Sequence, residues 1–471
     1  AFHNAIGSES FYTSSSIDQP GKAIAPLRHG AWAAGVQGFE TADVAMVIGC
    51  NTLVSTFGYP GGIPGFNPLV RLRQAKERGL FLIVIDPRFT EVAHYADLYL
   101  PVRAGEDPTL LAGIIRQILA TDSYDKDFCG RYVNGLDELR IAVDPFTLDY
   151  VSQRAGVEQE LIVTAAKKFA EGPRGAVTTG TGPDMAPHSS LTEHLVLVLN
   201  TLCGRYNREG ETMYNPGGLM TPPGQIRAGV IPPKPEMLTK GSKSRMRDIY
   251  MQRGQAATST LAEEILLEGE GQIRALFTLG GNPVVSWPDQ RTTVEALRAL
   301  DLHVLMDVHV SPSAQLAHYV IASTLSLERP DVPTTIDRWF DQPYQHYTPA
   351  ILEMRGEFAK SGRSTPRLRH DSVSPSRCQV ETSRQECTSP VTMCLISFMQ
   401  KRSCHLRSCA NTWAGIFSLN TSPLFSLQTQ RARRGWKWFL QELPKRCSMY
   451  SASRHLVRSF MVLTPRCIPS A

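Results

Sequence analysis

Acids, glycines and asparagines gather in this sequence where apolar runs end, and those places suit ligand chemistry. The stretch IVIDPRFTEVAHYADLYLPVRAGED, residues 83 to 107, stops an apolar run at Asp86-Pro87-Arg88 and then sets Asp97, Gly105 and Asp107 close behind. A buried strand that ends at an acid and a proline delivers them to the carboxyl edge of a sheet, where open α/β folds bind ligands. A carboxylate there accepts two parallel N–H bonds, as a guanine edge offers, or the hydroxyls of a ribose. Three loops let backbone N–H groups approach an anion with no Cβ in the way: IGCNTL with Cys50 and Asn51, TTGTGPD with Gly180, Thr181 and Gly182, and LGGNPVVS with Gly281, Asn282 and Pro283. Each acid taken singly fits a turn or a helix cap equally well.

The elements that must carry these residues alternate. DVAMVIG (43–49) and GLFLIVIDP (79–87) read as buried strands, with NPLVRLRQAKERG (67–79) as the helix of a right-handed parallel crossover. DPTLLAGIIRQILAT (107–121) is an amphipathic helix with Asp107 as its N-cap and Pro108 at its first position. A helix in GVEQELIVTAAKKFAEG, a strand in GAVTTGTGP and a buried helix in SLTEHLVLVLNTLCG complete a doubly wound layout over 1–216. Residues 217–243 hold five Gly and five Pro and form a crossing loop. A second, partial α/β block covers 244–358, with strands in IRALFTLGGNP, LHVLMDVHV and YVIAST.

Length and composition, 471 residues and 42% hydrophobic, suit two or three globular domains. No run approaches the roughly 18 apolar residues of a membrane helix, so no integral membrane segment is expected. The start, AFHNAIGSES, has neither a signal core nor an initiator Met, so the native N-terminus is expected to lie upstream. Charge splits the chain. Residues 1–360 carry 32 Lys+Arg against 40 Asp+Glu, and residues 361–471 carry 17 against 4. Cysteine splits likewise, with Cys50, Cys129 and Cys203 in the first part and seven from Cys378 to Cys467. In 359–471 neither helix nor strand periodicity persists, and three readings compete: a basic tail for nucleic acid, a cysteine metal module, and translation out of frame. No C-x-x-C pair supports the metal module, and apolar pieces such as GWKWFL speak against a solvated tail. The frame reading stands first.

The segments ETADVAMVIGCN, VIDPRFTEVAHYADLYLPVRAGEDPTLLAGI, YDKDF, TGTGPDMAPHSSLTEHLVLVLNTLCGRYNREGE, LFTLGGNPVVSWPD and LHVLMDVHVSPSAQLAHYVIASTLSLERPDV occur in this order over about residues 5 to 355. Together they resemble the signature segments of the molybdopterin oxidoreductases of the dimethyl sulfoxide reductase, nitrate reductase and formate dehydrogenase type. The resemblance implies two related α/β dinucleotide domains with mostly parallel sheets. It also implies a bis-molybdopterin guanine dinucleotide cofactor with Mo or W, and two-electron transfer of an oxygen atom, or of hydride and proton, on a small substrate.

By that resemblance Asp86, Arg88, Asp97, Gly105 and Asp107 hold the guanine end of one cofactor. Gly281, Asn282 and Pro283 serve the other, and Cys50, Asn51, Gly180, Thr181 and Gly182 line the cleft. One side chain from the region before the first strand ligates the metal. FYTSSSIDQPGKAIAPLRHG offers no cysteine, so Asp18 in IDQP is the first choice, a hard donor suited to high-valent Mo, with Ser16 and Ser15 behind it. Asp18 as a plain helix cap is the other reading. His29 is a candidate proton shuttle or a packed residue, and His188 a substrate or pterin contact or a cap.

The sequence departs from the family pattern in three places. It has no counterpart of the cysteine cluster that binds a four-iron four-sulfur centre, so no ligands for such a cluster are expected in this chain. His318 and Ala322 stand where the family more often has Asp and Pro. Past YTPAILE the family continues into a C-terminal barrel, and here the basic stretch follows, so the native reading frame is expected to end near 354–358. The chain is then a fragment of such an oxidoreductase, with an electron-transfer subunit as partner, no nucleic-acid partner, and a cytoplasmic or periplasmic location. A pterin-free scaffold of the same fold is the alternative. A nicotinamide or thiamine enzyme is a third reading, and the lack of a G-x-G-x-x-G opening a helix counts against nicotinamide.

Overall fold

The computed structural model describes residues 8–211, 227–247, 249–251, 254–331 and 347–353. The tail from 359 and residues 217–226 of the Gly/Pro-rich crossing lie outside the described residues. The chain divides into two compact units. One holds Asp18–Thr239, and the other joins Lys240–Asp331 to the N-terminal residues up to Ile17.

In the first unit helix α1 (Gly21–His29) precedes β1 (Val44–Ile48), α2 (Pro68–Glu77), β2 (Phe81–Ile85), β3 (Leu98–Leu100), α3 (Asp107–Ala120), α4 (Gln159–Glu171), β4 (Gly175–Thr179) and α5 (Ser189–Leu202). The four strands form one parallel sheet in the order β3-β2-β1-β4. Side chains on a strand alternate between faces, and here both faces are covered. Val44, Met46, Ile48, Ile83 and Ile85 join the core under α3, α4 and α5. Their alternates Ala45, Val47, Leu82 and Val84 join the opposite core with Leu72 of α2. That is why these strands read as unbroken apolar runs.

The second unit carries α6 (Leu261–Leu266), β5 (Ala275–Leu279), α7 (Gln290–Ala299), β6 (Leu302–Asp307), α8 (Pro312–Leu316) and β7 (Tyr319–Ala322). Its strands are parallel in the order β5-β6-β7. Leu261, Ile265, Leu276, Ala296 and Leu297 form its core. The α/β fold with mostly parallel sheets expected from the sequence is present.

The two units repeat one local plan. β1 ends at Gly49 (φ +56°) and β5 at Gly280 (φ +58°), each in the left-handed region that favours glycine. Gly49 N–H donates to Ile85 O at 2.9 Å, and Gly280 N–H to Met306 O at 2.8 Å. An asparagine follows two residues on in both, at the start of a short helix, Thr52–Ser55 and Pro283–Ser286. The correspondence extends to His318. Asp97 N–H donates to Leu82 O at 2.9 Å while its Oδ2 accepts from Leu82 N at 2.7 Å. His318 N–H donates to His303 O at 2.9 Å while its Nδ1 accepts from His303 N at 2.9 Å. The histidine thus makes the same double clamp on a neighbouring strand that the aspartate makes.

Among the described residues no helix is long and apolar enough to cross a membrane.

Candidate functional site

In the first sheet the chain steps outward from β1 through β2 to β3 and then returns to the other side of β1 for β4. The crevice outside the carboxyl ends of β1 and β4 is therefore the switch point of the topology, the usual ligand position in such sheets. Its walls are the loops Gly49–Asn51 and Gly180–Gly182. A Cβ on Gly180 would collide with the carbonyl oxygen of Gly49, so this glycine serves the close packing of the two loops. Thr181 and Gly182 are exposed at the rim. Asn51 Nδ2 donates to Glu91 Oε2 at 2.5 Å, whereas its Oδ1 is buried with no partner among the described residues. A buried acceptor without a donor costs about 1–3 kcal/mol, which a ligand donor would relieve. Beside it Cys50 is half-buried, its thiol held up by burial and 3.4 Å from Thr52 Oγ1.

Asp86 and Asp107 continue the same edge at the ends of β2 and β3. Asp86 Oδ1 accepts from Arg88 N at 2.9 Å, and burial raises its carboxyl. Asp107 is 6% exposed, and burial first, then the charges of Asp86 and Glu106, lift its carboxyl to about 6. It is the first residue of α3. Glu106 takes the cap position expected for Asp107, and Glu106 also accepts from Thr109 Oγ1 and Arg154 Nε at 2.7 Å each. Arg88 is exposed and pairs loosely with Glu91 at 3.6 Å. Gly105 takes φ +88° in the turn before α3.

A second group of side chains stands beside the crevice around the start of α1. Lys22 Nζ donates to Gly180 O at 3.0 Å, to Glu193 Oε1 at 2.8 Å and to Asp184 Oδ2 at 3.4 Å. Thr179 Oγ1 donates to the same Glu193 oxygen at 2.5 Å. The Lys22 ammonium lies 4.8 Å from the centre of the Tyr59 ring, and Tyr59 OH donates to Gln19 Oε1 at 2.6 Å. Asp18 is exposed next to Gln19 and adds to the negative field at Tyr59. Asp18 does not cap α1. The buried carboxylate of Asp184 does so from a distance, accepting from Gly21 N at 2.8 Å and Lys22 N at 3.0 Å.

Several expected residues stand elsewhere. Asp97 is not brought to the edge, because its carboxylate is spent on Leu82 N and on an ion pair with Lys76 three residues before the end of β3. His29 does not face the crevice. It ends α1, with Nδ1 3.2 Å from Gly30 O and Nε2 3.2 Å from Thr201 Oγ1, and burial lowers its pKa, so it packs α1 on α5. His188 has an exposed side chain and caps α5 through its backbone carbonyl alone. Ser15 and Ser16 belong to the other unit, where their hydroxyls bond Gln255 Oε1 at 2.9 Å and Thr258 Oγ1 at 2.8 Å. Gly281, Asn282 and Pro283 also lie in that unit, with Asn282 Oδ1 accepting from Ser313 Oγ at 2.7 Å.

Sequence reasoning missed Lys22, Tyr59, Asp184 and Glu193, which are far apart in the chain and carry no spacing signal. It also missed Asp307, which ends β6 as Asp86 follows β2 and accepts from Val308 N at 2.7 Å. The internal repeat would have found it.

The edge carries two carboxyls raised by burial, an amide oxygen with no partner among the described residues and an exposed guanidinium, groups whose chemistry suits N–H or O–H donors and an anion. Among the described residues no group of three His, Cys, Asp or Glu side chains could hold a metal ion. Asp18 is exposed.

A family profile for molybdopterin oxidoreductases matches residues 2–359. Curated relatives include the F420-dependent formate dehydrogenase subunit alpha of Methanocaldococcus jannaschii, 27% identical over 66% of this chain and 45% of its own length. The acetylene hydratase of Syntrophotalea acetylenica is 28% identical over 61% of this chain and 42% of its own. The assimilatory nitrate reductase catalytic subunit of Bacillus subtilis is 25% identical over 56% and 38%. The chain thus spans less than half the length of these relatives. Among solved structures, acetylene hydratase from Pelobacter acetylenicus superposes with a TM-score of 0.61 at 24% identity, covering 76% of this chain and 51% of that one, which shows the shared fold. With a profile match over most of its residues, this chain belongs to the molybdopterin oxidoreductase family.

Proposed function

We propose that this chain is the dinucleotide-binding part of a molybdenum or tungsten oxidoreductase that carries two molybdopterin guanine dinucleotides. The observation that carries the reading is the switch-point edge, where Asn51 Oδ1 is buried without a donor beside the raised carboxyls of Asp86 and Asp107. Asp86 and Asp107 accept N–H or O–H groups of a guanosine, Asn51 accepts a further one, and Arg88 pairs with a phosphate. Thr181 and Gly182 leave room at the rim for the chain to approach the ligand. The equivalent loop Gly280–Pro283 with Asp307 offers the second unit's edge to the second nucleotide. Asp18 supplies one carboxylate oxygen to the metal.

When bound, the metal and its dithiolenes supply two-electron redox chemistry on a small substrate. Relatives are named as alpha or catalytic subunits, which supports an electron-transfer subunit as partner.

The test is to express the chain with molybdate or tungstate, purify it, and measure bound metal by mass spectrometry and guanosine monophosphate released by acid. Metal and guanosine monophosphate at a ratio near one to two are expected. Protein free of both refutes the reading in favour of a pterin-free scaffold.

A further inference from the structure

The segment that presents Asp18 is held at several points, by Tyr59 and by the loop after β4. Gln19 N–H donates to Met185 Sδ at 3.4 Å, and the Gln19 side chain accepts from Tyr59. Gln19 itself sits at φ +51°, a left-handed conformation that costs a non-glycine residue of the order of 1 kcal/mol and persists only where the surroundings impose it. Two residues on, the first two N–H groups of α1 end on Asp184, whose side chain is fully buried. Lys22 bonds the same carboxylate, and also the Gly180 carbonyl and Glu193, which face it from the loop after β4 and from α5. A Cβ on Gly21 would collide with Ser189 O at 2.8 Å, so the start of α1 lies directly on the start of α5.

The crowding explains the residue types. One ammonium between two carboxylates leaves the cluster with one net negative charge, and burial raises the Glu193 carboxyl. A buried ionic cluster is weak support for stability, because desolvation offsets its attraction. It does fix geometry, since each member is bonded in one arrangement only.

From this we infer that Asp184 and Lys22 are positioning residues for the metal-facing segment 18–20: the loop after β4 sets, through them, where the Asp18 carboxylate stands. The inference rests on the cofactor reading above and deepens it. Asp184 acts through α1, and its effect is on the environment of the metal rather than on the nucleotide edge.

The experiment compares the full chain with D184N, K22M and K22R, and with D97N as a control that weakens a clamp away from the edge. Each is expressed with molybdate. X-ray absorption then counts light-atom scatterers at the metal, and metal loss on dilution is timed alongside guanosine monophosphate content and thermal stability. D184N and K22M are expected to lose the protein oxygen scatterer and to release metal about tenfold to a hundredfold faster, as removal of residues that orient a ligand does. K22R is expected to retain both, and D97N to lower stability without changing the spectrum. If the wild-type chain loads and D184N gives its spectrum and release rate, the positioning role is overturned while the cofactor reading stands. A wild-type chain that takes up neither metal nor nucleotide overturns both. Should D184N fail to fold, K22M against K22R decides alone, because the lysine stem can be kept while the ammonium is lost.

Discussion

On the proposed reading, the buried acid Asp107 links nucleotide binding to protonation. Its carboxyl stands at about 6 in the folded chain against 3.8 unfolded, so the folded state holds the extra proton between these values. A folded pKa raised above the unfolded one contributes stability below pH 3.8 that is lost as the pH rises through about 6. At about 1.4 kcal/mol per unit the loss is of the order of 2–3 kcal/mol. D107N, which needs no charge, is therefore expected to be more stable than the wild type at pH 8 and nearly equal at pH 3.5. Denaturant unfolding at the two pH values measures this, and an equal difference at both would refute it. A ligand donor satisfies the ionised carboxylate and lowers its pKa again, so nucleotide binding near pH 6 should release a proton.

At the scale of the element, the matched clamps of Asp97 and His318 show one backbone task done by two chemistries. Both side chains accept an N–H from the neighbouring parallel strand, and an imidazole nitrogen can do so only while unprotonated. Exchanging Asp97 for His in the first unit should therefore keep the clamp at pH 8 and lose it at pH 5, below the ordinary imidazole pKa of about 6.5. The expected loss is about 1–3 kcal/mol at pH 5, the cost of leaving Leu82 N unpaired. Thermal unfolding of D97H against the wild type at both pH values reads it out, and a pH-independent difference would count against the clamp. Seen from the sequence, an Ala-Asp and an Ala-His before a strand look like a binding acid and a deviation. The sheet register makes them equivalents.

For the whole molecule, the open edge predicts stabilisation by nucleotide alone. Guanosine diphosphate at a hundred times its dissociation constant should add about 2.7 kcal/mol to the unfolding free energy, seen as a rise in Tm. Adenosine diphosphate should add less, because adenine lacks the paired N–H donors that a carboxylate accepts. A guanosine diphosphate titration that leaves Tm unmoved would argue that the acids at the edge serve folding only.

Much of this protein was determined by the sequence alone. Unbroken apolar runs such as VAMVI and FLIVI specify strands buried on both faces, and the amphipathic helices between them specify parallel crossovers, because no other arrangement covers both faces. The position of Asp86 at the edge was legible because a strand must deliver the residue that follows it to one edge, and Asn51 and Asp107 lie in the loops that continue from such strand ends. Tertiary structure decided what each polar group does there. It turned Asp97 and His29 to structural tasks, gave Gly180 to loop packing, and brought Lys22, Asp184 and Glu193 together across more than 160 positions of sequence. Local periodicity records which face of an element is buried. A charge cluster assembled from three separate elements has no period to read, and only the packing of α1 on α5 brings it into being.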